Sequence, residues 1–345
     1  MEELIPDACE ALYVLRQQES DIGYVATNKL FETWGSTWFA LVSQHNFDAA
    51  ALHWISILDP VRRWETKNGK HIHKGTPYYF LAASYLYSSN FDLGFRYLFD
   101  AIKEDEKASQ GTNNPQSYKS APAYMLASLV ENDQNYLYRE IVSPARFRIE
   151  QFLATYNRET QTSMAMMDID ARFLNNSAFE FAKLYFDYVL LHLIKLEQMW
   201  NSREPQNDFM KMRNRDILLD LCLVIDELLR TKFPSASGIG DGVFSFLSSK
   251  HMLNALESNA GTLNQNLQPM ISGTPYPSPD VIVPALLDLT LMYRTAAVTK
   301  EMSWLLLAWH LRNYAAHNLT PRQVLIDRYA EIVQSLMNGL LLCLE

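Results

Sequence analysis

Apolar residues recur three and four positions apart along most of the chain, and strict alternation of apolar and polar residues is scarce, so the pattern predicts helices almost everywhere. The clearest are FEFAKLYFDYVLLHLIKLEQMW (179–200), DILLDLCLVIDELLRTKF (216–233) and VLIDRYAEIVQSLMNGLLL (324–342). Start signals agree: Thr76 then Pro77, and Thr320 then Pro321, each offer an N-cap with proline at the first helical position, where a missing N–H costs nothing. Polar stretches carrying Gly, Asn and Pro separate the helices. EKASQGTNNPQSYKSAP (106–122) reads as a linker and SNAGTLNQNLQPMISGTPYPSPD (258–280) as a long loop. The expected fold class is all-α, with helical hairpins over 1–120, a connecting helical segment over 121–170 and a helical domain over 171–345.

The N-terminal third repeats itself. NFDAAALHWISILDP (46–60) aligns with NFDLGFRYLFDAI (90–102), pairing Asn46 with Asn90, Phe47 with Phe91 and Asp48 with Asp92, and each follows an aromatic-rich helix. In the second copy Tyr78, Leu81, Ala82 and Tyr85, then Gly94, Leu98 and Ala101, fall where the tetratricopeptide repeat places its large and small packing residues, and the region resembles that family. The first copy keeps Trp34, Ala50, Trp54 and Ile57 in register but has Trp38 where a small residue is expected. The copies are also spaced more widely than the family's usual period of about 34 residues. The aromatics read first as packing residues, because stacked hairpins need them to bury a continuous core. The resemblance implies a surface for a protein or peptide partner.

At 345 residues the chain exceeds what one core usually fills, so two units are expected, the alternative being one helical array running through the whole length. A formal charge of −9 argues against a protein that coats nucleic acid, since phosphate binding needs clustered Lys and Arg; it leaves room for one local RNA site. Cys9, Cys222 and Cys343 are odd in number and far apart, which fits neither a disulfide framework nor a Cys-based zinc site and points to a reducing cytoplasm. The first residues lack the basic and apolar regions of a secretory signal, no apolar run approaches the ~20 residues of a membrane span, and LLLCLE lacks the order of a prenylation signal.

Other motif-like stretches have plainer readings. His71 and His73 in KNGKHIHKGTP have the alternate spacing of some metal sites but no sequence neighbour that completes a shell, so a solvated loop is expected. SGIGDGVF (237–244) has neither the GxGxxG nor the Walker spacing and reads as a flexible turn. Asp168 and Asp170 fit a helix start better than a cation site. No metal or other cofactor is expected.

The segment 301–317 is different. Trp304, Ala308, Leu311 and Ala315 form one stripe at helical spacing, the natural core face. Met302, Leu306, Trp309, His310, Asn313 and His317 form a second stripe that begins apolar and ends polar, as expected of a face that meets another protein surface and opens onto a cleft. Arg312 lies about 140° around the helix from His317, too far for the same-face contact of residues three or four apart. The run RNYAAH, with Arg312, Asn313 and His317, resembles the signature of HEPN ribonucleases, which sits on the last turns of a long helix in an all-α domain. That resemblance implies a homodimer whose two motifs face each other across a two-fold axis and form one composite site. It implies metal-independent cleavage of RNA through the ribose 2′-OH, in defence or in a toxin system. His317 would serve as base or acid, Arg312 would stabilise the phosphorane, Asn313 would orient His317 or the phosphate, and His310 would be either an auxiliary or a core residue. The competing reading is a non-catalytic helical-repeat adaptor that binds a protein partner and dimerises through its C-terminal domain, with Arg312 paired to a carboxylate and His317 at the negative end of its helix.

Overall fold

A computed structural model describes residues 9–10, 31, 34–110, 112–130, 137–174, 176–200, 208–255, 257–268, 277–318, 320 and 322–345. The chain is all-α: helices dominate throughout, and the strands among the described residues are three of two residues each. It divides into two compact units, Met1–Ala145 and Arg146–Glu345, so the segment 121–170 is shared between them.

In the first unit a helix over 34–43 precedes α1 (Phe47–Asn68), α2 (Gly75–Tyr87), α3 (Phe91–Ser109) and the short α4 (Pro122–Ala127). The repeated NFD is a repeated turn. Asn46 and Asn90 cap α1 and α3, each side chain accepting a backbone N–H three residues on, at 3.3 Å. Before each cap a non-glycine residue takes the left-handed conformation, His45 at φ 56° and Ser89 at φ 57°. The cap N–H then donates back to the preceding helix, Asn46 to Leu41 at 2.9 Å and Asn90 to Tyr85 at 2.8 Å, which satisfies an orphan carbonyl. Helices α2 and α3 approach closely at Gly94, where a Cβ would lie 2.5 Å from Leu86 Cδ2. Trp38, the large residue in the first copy, is buried; its indole N–H donates to Ser84 Oγ at 2.8 Å and its ring sits 4.6 Å from that of Phe80.

The loop between α1 and α2 is only partly solvated: His71 is exposed as expected, but Ile72, His73 and Lys74 are buried. Carboxylates from the flanking helices draw it in. Lys74 Nζ lies 2.6 Å from Glu65 Oε1 and donates to the Ile72 carbonyl at 2.7 Å, while the Lys74 backbone N–H donates to Glu104 Oε2 at 3.0 Å. His71 bridges Glu65 at 3.2 Å and Glu104 at 3.0 Å, and His73 Nε2 lies 3.3 Å from Asp105 Oδ1. The Lys74 ammonium therefore stands among these acids as their cation. Helix α2 accordingly begins at Gly75, just ahead of the Thr76–Pro77 signal.

The second unit contains α5 (Ser143–Thr160), which starts at the unit boundary, then α6 (Met166–Leu174), α7 (Glu180–Trp200), α8 (Asp208–Lys232), α9 (Ile239–Ser249), α10 (Ala260–Gln265), α11 (Pro279–Leu287), α12 (Lys300–His317), α13 (Val324–Asp327) and α14 (Tyr329–Leu344). Between them β1 (Leu267–Gln268), β2 (Met292–Tyr293) and β3 (Ala296–Ala297) pair antiparallel, with Leu267 opposite Tyr293 and Met292 opposite Ala297. The stretch expected as one long loop is thus partly folded. Glu257 fastens it, accepting from Arg294 at 2.8 Å, Tyr293 at 2.9 Å and Asn266 at 2.9 Å. The start signal at Pro321 lies outside the described residues.

Helix α12 is the centre of this unit and packs on α8, α9, α11 and α14. The glycine-rich stretch expected as a turn opens α9 and lets it come close: a Cβ on Gly240 would lie 2.8 Å from the Trp309 ring, and one on Gly242 2.9 Å from Leu229 Cβ. Asp168 accepts the Ala165 N–H at 2.7 Å at the start of α6, and Asp170 pairs with Arg146 at 3.0 Å, so both are used structurally. Among the described residues, no helix is long and apolar enough to cross a membrane.

Candidate functional site at the end of helix α12

Thr299 starts α12 by accepting the Met302 N–H at 3.2 Å, and every residue from Met302 to Leu311 is buried. A helix surrounded by neighbours has no polar face to show, which is why this run reads as apolar on all sides. The second stripe is corrected by this packing. Met302, Leu306 and Trp309 are covered by helices of the same chain, so they offer no apolar face for a partner to bury.

Burial relaxes at Arg312, and the polar tip of the helix begins there. The tip is anchored by its own end: Tyr314 OH donates to the Thr320 carbonyl at 3.1 Å and accepts from Arg322 Nε at 3.1 Å, while Asn318 Nδ2 donates to the Tyr314 carbonyl at 3.0 Å. Of the four residues singled out in the sequence, His310 is 3% exposed and packs its ring against that of Trp309, centroids 5.3 Å apart. Neither ring nitrogen has a partner among the described residues, and burial pushes its pKa down to about 4. It is a neutral core residue, out of reach of a solvent-borne substrate. Asn313 is half-buried, and His317 is exposed at the last helical position, where the helix dipole favours a cation. Arg312 points away from His317 and towards α8, so one copy of the chain does not bring the two together as a pair.

Arg312 lines a cavity of roughly 300 Å³ with Phe181, Tyr185, Asp226, Glu227 and Arg230. Asp226, 5% exposed, is held by Arg230 through both oxygens, at 2.9 and 3.0 Å. Arg312 Nε lies 3.7 Å from the same carboxylate and makes no hydrogen bond among the described residues, although its side chain is only 28% exposed. Its attraction to Asp226 is therefore a charge contact without the paired geometry that makes arginine–carboxylate bonds strong. Tyr185 donates to Asp220 at 2.8 Å, so its hydroxyl is committed.

Sequence reasoning missed the α7 and α8 side of this cavity. The spacing of Asp226 and Arg230 in DELLR is that of neighbours on a helix face and could have been read as a pair. Nothing in the sequence says that Arg312 meets it. The same spacing holds for Lys183 and Asp187, an ion pair buried within α7 whose carboxyl is pushed up to about 7 by burial. Among the described residues no group of three or more His, Cys, Asp or Glu side chains is placed to hold a metal ion. The chain matches no protein family model, no curated protein and no solved structure.

Proposed function

We propose that the chain is a metal-independent endoribonuclease whose site is completed by a second copy of itself. The observation that carries this reading is Arg312: a guanidinium at the motif position, in a cavity wall, whose Nε has no hydrogen bond among the described residues while Arg230 bonds both oxygens of Asp226. In this reading the two protomers place their α12 tips across a two-fold axis, which supplies the convergence that about 140° of separation on one helix denies. His317 of one copy takes the proton of the ribose 2′-OH, the 2′-oxygen attacks phosphorus, and the bond to the 5′-oxygen breaks as the second His317 protonates it. Arg312 donates to the phosphorane oxygens and Asn313, one turn before His317, orients the imidazole or the phosphate. The products carry 2′,3′-cyclic phosphate and 5′-hydroxyl ends.

The test is incubation of the purified chain with labelled RNA in EDTA and analysis of the product ends. His317→Ala and Arg312→Ala are each expected to slow cleavage roughly a hundredfold or more while leaving the fold intact. Light scattering should find a dimer. Cleavage that survives both substitutions, or that stops in EDTA, rejects the mechanism. The adaptor reading draws on one observation, the approach of Arg312 to Asp226, and expects no cleavage by the unaltered chain.

A further inference from the structure

Phe181 projects from the first turn of α7 into the wall of the Arg312 cavity, 64% exposed, and its ring stacks on no other ring among the described residues. An aromatic side chain left in water at the mouth of a cavity asks for an apolar, planar occupant. Arg312 lines the same cavity, and its Nε has no hydrogen-bond partner among the described residues. Leu223 and Val224 complete the apolar wall, and the cavity's roughly 300 Å³ sits at the lower end of small-ligand pockets. One face is apolar, the other carries Arg312 and Arg230 beside the carboxylates of Asp226 and Glu227, and the space admits a single small group.

We propose that this cavity is a nucleotide subsite, in which the base beside the bound phosphate stacks on Phe181 while Arg312 holds the phosphate. The proposal rests on the ribonuclease reading for the role of Arg312 and adds the residue that seats the base. A stacked ring has no preference for one base edge, so the subsite strengthens binding with little sequence selection. Arg230 and Asp226 act as positioning residues: Arg230 bonds both oxygens of Asp226, the carboxylate that Arg312 faces at 3.7 Å.

The experiment measures binding of a labelled, 2′-O-methylated oligonucleotide, which cannot be cleaved, to the full chain by fluorescence anisotropy across a salt series. Phe181→Ala is expected to weaken binding roughly tenfold with an unchanged salt slope, because a neutral ring releases no counterions. Arg312→Ala should instead lower the slope by about 1. Phe181→Trp should restore affinity, and its fluorescence should be quenched on binding. Because Phe181 is exposed, thermal melts of these variants should match the unaltered chain. Equal affinity of Phe181→Ala and the unaltered chain, or no binding by the unaltered chain, overturns the subsite. So does a Phe181→Ala variant that loses dimerisation while its RNA binding is unchanged, since the cavity then holds a side chain of the second copy. RNA cleavage with Phe181-independent binding sinks the subsite and leaves the ribonuclease reading standing. Phe181-dependent binding without any cleavage does the reverse.

Discussion

The two units each bury a histidine-bearing segment, and they solve the problem in opposite ways. In the first, His71 is gripped by Glu65 and Glu104, and Lys74 joins the same carboxylates; hydrogen bonds to both acids hold the imidazole pKa above its ordinary value. In the second, His310 lies deep in α12 with neither ring nitrogen bonded among the described residues, and burial alone pushes it down to about 4. His71 itself stays exposed, but Lys74 and Glu104 beside it are buried, as His310 is. The first unit compensates its buried groups with charge, and the second keeps its histidine neutral and leaves a donor unsatisfied. A buried polar residue therefore signals strength or weakness according to its partners, and substitutions in the two units should answer differently.

The largest difference is expected on removing one partner from each. Glu104→Ala takes away a buried carboxylate that serves His71 and both the Lys74 backbone and its ammonium, and breaking such a pair costs about 3 kcal/mol or more. His310→Leu removes a ring with no hydrogen-bond partner among the described residues and should be neutral or stabilising by up to about 1 kcal/mol at neutral pH. Urea denaturation, with hydrogen exchange to tell the units apart, reads both changes. Equal losses would end the contrast.

The pH responses should also diverge. For His310, with a folded pKa of about 4, the unfolded chain takes a proton that the folded one refuses once pH drops below the ordinary ~6.5. Its contribution is lost on acidification and amounts to about 3 kcal/mol by pH 4. His71 runs the other way: its raised pKa stabilises fully below the unfolded value and fades as pH rises through the folded one. Glu104, held down to about 2 despite its burial by the bond from His71 and the charge of Lys74, keeps its contribution until pH falls from the unfolded carboxylate range towards 2. Asp187, pushed up to about 7, gains stability on acidification within the same unit as His310. The measurement is therefore the difference between His310→Leu and the unaltered chain, which should widen by about 3 kcal/mol between pH 7 and pH 4. A difference that stays flat would mean His310 is not buried as a neutral ring.

What the sequence disclosed follows the same division between local and long-range causes. Helix periodicity, the NFD turn and the position of Arg312, Asn313 and His317 at the end of α12 depend on neighbours within a few residues, and they were legible. The second stripe of α12 was not, because periodicity shows that Met302, Leu306 and Trp309 must be buried without showing by which chain. Glycine at 240 and 242 is a breaker by local rule and a close-packing residue once Trp309 and Leu229 stand against it. The loop at 70–74 looked polar because its acidic partners lie on α1 and α3. At the site, the motif named Arg312 but could not name Asp226 or Phe181, which come from other helices.

The smallest effect expected is one in which the two units should agree. His45 in the first unit and His251 in the second both sit in left-handed turns at φ 56°, and in each the next residue's N–H bonds back into the preceding helix, Asn46 to Leu41 and Met252 to Leu247, both at 2.9 Å. A side chain in this conformation crowds its own backbone, which glycine avoids, although glycine also loses more freedom on folding. The balance favours His45→Gly and His251→Gly by about 0.5–1 kcal/mol each. His45 also stands edge-on to Phe47, ring centroids 5.8 Å apart, so its gain should be a few tenths of a kcal/mol smaller. Chemical denaturation of the two variants checks this. A loss of stability in either one would mean that the imidazole, and not the turn, is what the chain uses there.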